Sequence, residues 1–463
     1  MPECYDVAVI GAGVVGAAVA RLLSINGVSV ALLDAGPDVG AGTSKANTAI
    51  LHTGFDATPG SVESRLVARG YALLSEYAPS VGIAIERTGA VLVAWDEEQA
   101  ASLPNIASRA RANGYSAASL IDSDSVYELE PHLGSGVTGG MWVPDEHIID
   151  PWSTPLAFAR EAVANGAAWL ANLHVTKLGR RSDLTEITTA CGDTLLAHFV
   201  VNAAGLHSDE VHELFGLTGF TVGPRRGELI VFDKLARPLL NRTILPVPTA
   251  HTKGVLVAPT VFGNIMLGPT ADDIFDKRAT GSTHDGIAGL LAKGRKILPD
   301  LLREEVTAVY AGLRAATEHS DYQISHDVAL GYVCLGGIRS TGLTSSMALA
   351  EEALSLLVQC GLSVENTEAT ARIPIRMTNL GEAFERPYQK GGSGAIVCHC
   401  ERVTHDEIVD ACTVAPAATT LDGVRRRTRA LAGRCQGFYC GAEVCAIAAA
   451  SSGRPMGDWL GVG

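Results

Sequence analysis

The 463-residue chain has little of what would direct it to a membrane or a nucleic acid. No stretch reaches the about 20 consecutive apolar residues that a membrane-spanning helix needs. Basic residues are in deficit: 36 Lys and Arg stand against 50 Asp and Glu, a net charge of −14. That balance argues against nucleic acid or an anionic membrane surface as the main partner. Charged residues are only 19% of the chain, beside 47% hydrophobic residues and 50 glycines. Such a composition belongs to a compact, Gly-rich globular protein and excludes a disordered one. The opening "MPECYDVAVIGAG" shows no basic stretch before its apolar run, so no secretory signal is expected. A cytoplasmic location follows as the expectation, with peripheral contact at the inner face of the cell membrane left open. Internal repeats and low-complexity segments are also missing.

Ten cysteines are present, and in a reducing compartment they do not form a disulfide framework. Six of them (398, 400, 412, 435, 440 and 445) fall in the last 66 residues, the main compositional anomaly.

The front of the chain reads as strand, glycine turn, helix, strand. "YDVAVI" is a β-branched apolar run, "GAGVVG" supplies Gly11, Gly13 and Gly16, and "VVGAAVARLLSIN" is a helix of small residues that Gly27 is placed to end. "VSVALLD" then closes a second strand on Asp34. Gly11 permits the tight turn, Gly13 lets backbone reach a pyrophosphate, and Gly16 lets the helix lie on the sheet. The diphosphate meets the helix N-terminus, and Asp34 holds a ribose hydroxyl. This fingerprint predicts a dinucleotide without deciding between FAD and NAD.

Two later segments favour a flavin. "HFVVNAAGLHSDEV" (198–211) is a buried strand ending in small residues, among them Ala204 and Gly205, where backbone can lie against a ligand. "YVCLGGIRSTGLTSSMALAEEAL" (332–354) is a strand, a turn with Gly337 and a helix starting near Gly342, Leu343 and Thr344. Its N–H groups suit an electron-rich ring carbonyl such as the flavin O2. In this order the segments resemble the FAD-dependent oxidoreductases of the D-amino-acid oxidase superfamily.

Within that superfamily "GTSKANTAILHTGFDATPGS" (42–61) is similar to the glycerol-3-phosphate and L-2-hydroxyglutarate dehydrogenases, as are "GPRRGELIVFD" (223–233), "GVLVAPTVFGNIMLGPT" (254–270) and "YAGLRAAT" (310–317). The likeness covers residues 1 to about 365. It implies an α/β fold in which a Rossmann-type FAD-binding part (about 1–85, 150–215 and 326–365) is interleaved with an antiparallel-sheet substrate part (about 86–149 and 216–325). It further implies that Thr43, Ser44, Asn47 and Val175 contact the FAD and that His52 lies close to the isoalloxazine.

In the tail, Cys398, Cys400, Cys435 and Cys440 form C-x-C-x34-C-x4-C. Zinc sites prefer two C-x2–4-C pairs, so C-x-C fits them poorly, whereas four thiolates can hold a 2Fe–2S cluster. Zinc stays open as the alternative. The intervening "ERVTHDEIVDACTV" and "TLDGVRRRTRALAG" predict two helices, capped by Thr404 and by Thr420 or Asp422. The run from Arg427 to Cys440 matches the R-x-R-x-x-x-G-x-C-Q-G-x-x-C ending of the bacterioferritin-associated ferredoxin-like 2Fe–2S module, which the region 395–463 resembles as a small helical domain. Arg425, Arg426, Arg427 and Arg429 are then expected to offset cluster charge or simply to face solvent. Cys412 and Cys445 read as buried thiols. Residues 366–394, with "KGGSG", read as an arm and linker.

Oxidising a CHOH group by flavin needs a base for the hydroxyl proton and a cation for an anionic substrate group. His52 is the expected base, and Arg314 the expected grip through its planar fork. Lys253 is a further substrate contact; Arg225, Arg226, Arg339 and His147 are weaker ones. Relatives with the best-matched glycerol-3-phosphate pattern carry arginines where this chain has Asp56 and Ser320, and "STGL" replaces an expected "SPGL". The expected reaction is dehydrogenation of a small anionic hydroxy substrate: glycerol 3-phosphate, another polyol phosphate or a 2-hydroxy acid. The tail argues for electron delivery to a quinone or redox protein. A partner subunit or homo-oligomer, an electron-transfer subunit without its own substrate, and a non-turning-over sensor stay open.

Overall fold

A computed structural model describes residues 3–248, 254–364 and 373–460. Strand β1 (Cys4–Ile10), helix α1 (Val14–Ile25) and strand β2 (Val30–Leu33) form the expected opening unit. The helix ends one residue ahead of expectation, on Asn26, and Gly27 follows with φ +78°. β1 pairs in parallel with β2 on one side and with Thr194–Asn202 on the other. Ala168–Leu170 and Tyr332–Gly336 extend the parallel run outward. Within the parallel run, Val30–Leu33 and Tyr332–Gly336 are buried at every position, as expected where both faces of a sheet are covered. α1 packs with the helices Ser153–Ala164 and Gly342–Gln359 on one face.

A second sheet of nine strands holds the antiparallel pair Val222–Phe232 and Val306–Thr317, in register from Val222↔Thr317 to Phe232↔Val306. Thr243–Pro246 lies parallel to Ala90–Ala94, so this sheet is mixed, not wholly antiparallel. A third, small sheet joins the two halves. In it the short strand β3 (Ile50–Leu51) pairs with His147–Ile149, placing Leu51 opposite His147.

The tail folds around its own apolar cluster of Val397, Val403, Ile408, Val424, Val444 and Trp459. Cys412 and Cys445 are buried in it, as expected of cysteines that behave as small hydrophobes. Thr404 caps the helix His405–Thr413 and exchanges bonds with Glu407, a capping box; Thr420 caps Leu421–Thr428 by accepting the Gly423 N–H.

Charge pairs hold the tail to the front of the chain. Asp38 is 1% exposed, and its carboxylate takes bonds from Arg426 Nη2 at 2.7 Å and from both terminal nitrogens of Arg427 at 2.6 and 2.7 Å. Arg426 also donates to Val39 O, and Thr419 to Pro37 O. These two arginines therefore neither face solvent nor answer to the thiols; they clamp the loop that follows β2. Along another edge Lys234 bridges Glu382 and Glu401 at 2.6 and 2.9 Å, and Arg434 grips Asp233 at 2.6 Å. Arg386, 1% exposed, ties residues 380 and 401 together through their carbonyls.

Removing one partner of a buried ion pair strands the other charge in low dielectric, at about 3–5 kcal/mol. Asp38→Ala is expected to destabilise the protein by that amount, read as a lowered midpoint of denaturant unfolding. An unchanged midpoint would mean that the clamp carries no stability.

Candidate functional site

The glycine turn is built for close approach. A Cβ on Gly16 would lie 1.8 Å from Gly11 O, and one on Gly11 would lie 2.4 Å from Ala203 O. Helix, turn and the end of Thr194–Asn202 thus meet at distances that only glycine allows. Ser44 Oγ accepts the Val14 N–H at 2.9 Å, while Gly13 itself gives α1 no side-chain cap and the first turn carries no acid. A helix end of this kind suits a diphosphate. Asp34 Oδ2 accepts the Ala12 N–H at 2.6 Å and Oδ1 the Gly36 N–H at 2.7 Å. Burial pushes its carboxyl upward, against these bonds. Val175 packs in the apolar cluster that contains Ile10 and Leu33, below the strand ends that carry Gly11 and Asp34, with Ala204 packed against it. Gly205 has φ +56° and opens a short helical turn. The residues present fit an FAD.

The 43–52 segment lies between the helix Gly342–Gln359 and the strand Val306–Thr317. On one side the His52 N–H donates to Thr344 Oγ1 at 3.0 Å, in the first turn of Gly342–Gln359, with Leu343 and Thr344 buried. The preceding turn is braced by Thr341, which bonds Tyr322 and Glu63; the threonine of "STGL" supplies a hydroxyl that proline could not. Gly337, at φ +64°, turns the chain out of the strand. On the other side, Tyr310 donates to Asn47 O at 3.1 Å, and a Cβ on Gly312 would lie 2.3 Å from Ala46 O. The strand bearing Arg314 therefore runs directly under the turn of Thr43, Ser44 and Asn47.

His52 has an orienting partner that the sequence did not suggest. Glu146, 1% exposed, accepts from His52 Nδ1 at 2.6 Å and takes the Thr53 N–H and hydroxyl at 2.7 and 2.9 Å. The pairing of β3 with His147–Ile149 sets the two residues side by side. A carboxylate at Nδ1 selects the tautomer whose Nε2 is the basic nitrogen. His147 points elsewhere: it meets Tyr71 at 6.5 Å between ring centroids, and burial lowers its pKa.

Arg314 is part-buried and, among the described residues, has no carboxylate partner; its one bond goes to Thr270 O at 3.4 Å. Burial, with Arg225 close by, depresses its pKa. A Cβ on Gly227, in the strand alongside, would sit 2.9 Å from its terminal nitrogens, so that glycine clears the guanidinium's space. Arg225 is bound to Asp273, and Arg226 lies near Glu228 and Asp272, so both are answered by acids. Lys253 lies outside the described residues. Among the described residues Arg339 keeps a buried Nε without a bond and bonds neither His52 nor Arg314.

The four tail thiols stand as two pairs. Cys440 hydrogen-bonds Cys398, which brings the Cys398 thiol down to about 6 and drives the Cys440 thiol up. Cys400 pairs with Cys435, whose pKa is lowered first by the Tyr439 N–H. Further N–H groups, of Glu401 and Leu431 on Cys398 and of Gly437 on Cys435, point at sulfur. No three such donors among the described residues gather as a single-ion site. A mononuclear zinc needs four donors about one point, whereas a 2Fe–2S cluster takes two per iron. The donor set fits the cluster. Phe438 and Tyr439, between two of the thiols, are 97% and 70% exposed.

Gly16→Ala is expected to abolish FAD retention, since its methyl cannot fit beside Gly11 O; flavin absorbance per protein in purified material measures this.

Comparison with known proteins agrees with this geometry. The FAD dependent oxidoreductase family model matches residues 6–356, and the BFD-like [2Fe-2S] binding domain model matches residues 396–450. The chain is 33% identical over 458 residues to a glycerol 3-phosphate dehydrogenase of Caloramator mitchellensis, covering 98% of this chain and 95% of that protein. It is 30% identical to a glycerol 3-phosphate oxidase of Mycoplasma pneumoniae, covering 77% and 95%. The reduced, FAD-bound L-alpha-glycerophosphate oxidase structure from Mycoplasma pneumoniae superposes with a TM-score of 0.73 at 28% identity, over 77% of this chain and 95% of that one.

Proposed function

Because the chain belongs to the FAD dependent oxidoreductase family, we propose that it oxidises the secondary alcohol of sn-glycerol 3-phosphate or a related polyol phosphate. It is an FAD-dependent dehydrogenase with a 2Fe–2S domain. The observation that carries the substrate reading is Arg314, a part-buried cation that no described carboxylate answers. A side chain kept in that condition is suited to an anionic ligand. The dehydrogenase of Caloramator mitchellensis, similar over 98% of this chain, supports the phosphate.

His52 takes the hydroxyl proton at Nε2 while Glu146 holds Nδ1 and stabilises the imidazolium. Arg314 fixes the anionic group and so the position of the carbinol carbon. Bound FAD supplies the hydride acceptor. Cys398, Cys400, Cys435 and Cys440 would hold a 2Fe–2S cluster, which would pass electrons one at a time toward a quinone or redox protein. No helix among the described residues is long and apolar enough to cross a membrane. We place the protein in the cytoplasm, where a quinone acceptor would bring it to the inner membrane face. A 2-hydroxy acid is the second reading: Arg225 and Arg226 are already paired with acids, which leaves less positive charge for a phosphate dianion.

Anaerobic mixing with a panel of polyol phosphates and 2-hydroxy acids tests this. Flavin bands should bleach with sn-glycerol 3-phosphate; bleaching only by L-2-hydroxyglutarate would transfer the assignment to the second reading. Cys435→Ser should remove the second set of visible bands and spare the bleaching.

Two variants should separate the roles. Arg314→Met loses a charge-assisted bond of about 1.5–3 kcal/mol, appearing mainly as a raised KM. Glu146→Gln should lower kcat by up to about 10⁴-fold with KM little changed, as for other imidazole bases that lose an orienting carboxylate.

A further inference from the structure

One arginine of the tail joins the thiol loop to the flavin side of the molecule. Arg429 ends the helix Leu421–Thr428 in a left-handed conformation, φ +74°, and is 6% exposed. Its guanidinium lies 4.2 Å from the ring centroid of Phe262 and 5.5 Å from that of Trp152, two rings stacked at 5.2 Å. Its terminal nitrogen donates to Asn264 Oδ1 at 3.2 Å, and its Nε to Glu401 Oε2 at 3.1 Å.

Each end of this contact reaches a redox site. Trp152 Nε1–H donates at 3.0 Å to the carbonyl of Lys45, the neighbour of Ser44 in the flavin-contacting turn. Glu401 follows Cys400 directly, and Leu431, two residues beyond Arg429, gives its N–H to the sulfurs of Cys398 and Cys440. Leu431 too is left-handed, at φ +68°, so the turn that presents this N–H is held from outside rather than by its own preference.

We infer that Arg429 is a positioning residue for electron transfer: it seats the thiol loop against Trp152 and Phe262 and neutralises Glu401 beside the cluster ligands. The inference rests on the proposed relay. Each alcohol oxidised to a carbonyl releases two electrons and two protons. The protons go to solvent, and the electrons leave the reduced flavin one at a time through the cluster to the quinone or redox protein. Net charge near a cluster sets its potential. Without Arg429, Glu401 keeps only Lys234, so more of its negative charge acts on the cluster and makes it harder to reduce, and an unseated loop lengthens the gap.

The test uses the full chain with both cofactors loaded. Light with EDTA as electron donor reduces the flavin, so the result does not depend on the substrate's identity; cluster reduction is followed by freeze-quench EPR, and potentials by redox titration. Arg429→Gln should keep iron content and the EPR line shape, lower the cluster potential, and slow cluster reduction about tenfold, equivalent to about 1.4 kcal/mol of barrier. Arg429→Lys, which keeps charge but not the planar stack, should restore the potential and only part of the rate. Trp152→Leu should slow the transfer with the potential unchanged, and it carries the test if Arg429→Gln loses its cluster. Wild-type rates and potentials in both Arg429→Gln and Trp152→Leu would overturn the role of Arg429 and leave the relay standing. A wild-type cluster that dithionite reduces but the flavin does not would overturn the relay, and this inference with it.

Discussion

Moving a charge from water into the protein interior costs several kcal/mol unless an opposite charge or a set of hydrogen bonds meets it. That constraint organises this molecule. Asp38 is buried because Arg426 and Arg427 arrive from nearly 390 residues away in sequence. Glu161 is buried against Arg21 and Tyr77 within the flavin-binding half, and Glu401 against Arg429 and Lys234 at the base of the thiol loop. Each pair is also a joint between elements, so the places where the chain's modules touch are the places where its charges cancel.

Against that background Arg314 stands out. Arg314 lies under the turn of Thr43, Ser44 and Asn47 with a carbonyl at 3.4 Å and no described acid, in a space that Gly227 leaves open. An arrangement that is costly for folding is useful for binding, because an incoming anion recovers what the fold left unsatisfied. His52 and Glu146 are the complementary case: a buried carboxylate satisfied three times over, one of its bonds spent on orienting an imidazole.

The tail differs from a solvated electron carrier tethered by a flexible arm. Arg386 is as buried as any apolar core residue, and the 380s bind both Lys234 and residues that follow Cys400. This network of ion pairs fixes the tail against the rest of the chain. The exposed rings of Phe438 and Tyr439 mark the opposite, outward side of the thiol loop.

Local patterns were legible from the sequence because their causes are local. The opening strand–turn–helix follows from three glycines and a run of β-branched residues, and the tail helices begin at Thr404 and Thr420 because a hydroxyl there meets the first free N–H groups. The four thiols were legible as a set but not in their pairing: spacing joins Cys398 to Cys400 and Cys435 to Cys440, whereas the fold sets Cys440 against Cys398 and Cys435 against Cys400. Glu146 was illegible: it is 94 residues from His52 and meets it only because two short strands pair across the sheet joining the halves. The arginines read from sequence as one basic run divide in the fold among Asp38, Glu401 and the Trp152–Phe262 stack, since a helix sends successive side chains in different directions. The sequence by itself thus determined which cofactors the chain can hold. Tertiary structure alone decided which charges are cancelled and that Arg314 meets no described acid, because burial and long-range contact do not exist until the chain is folded.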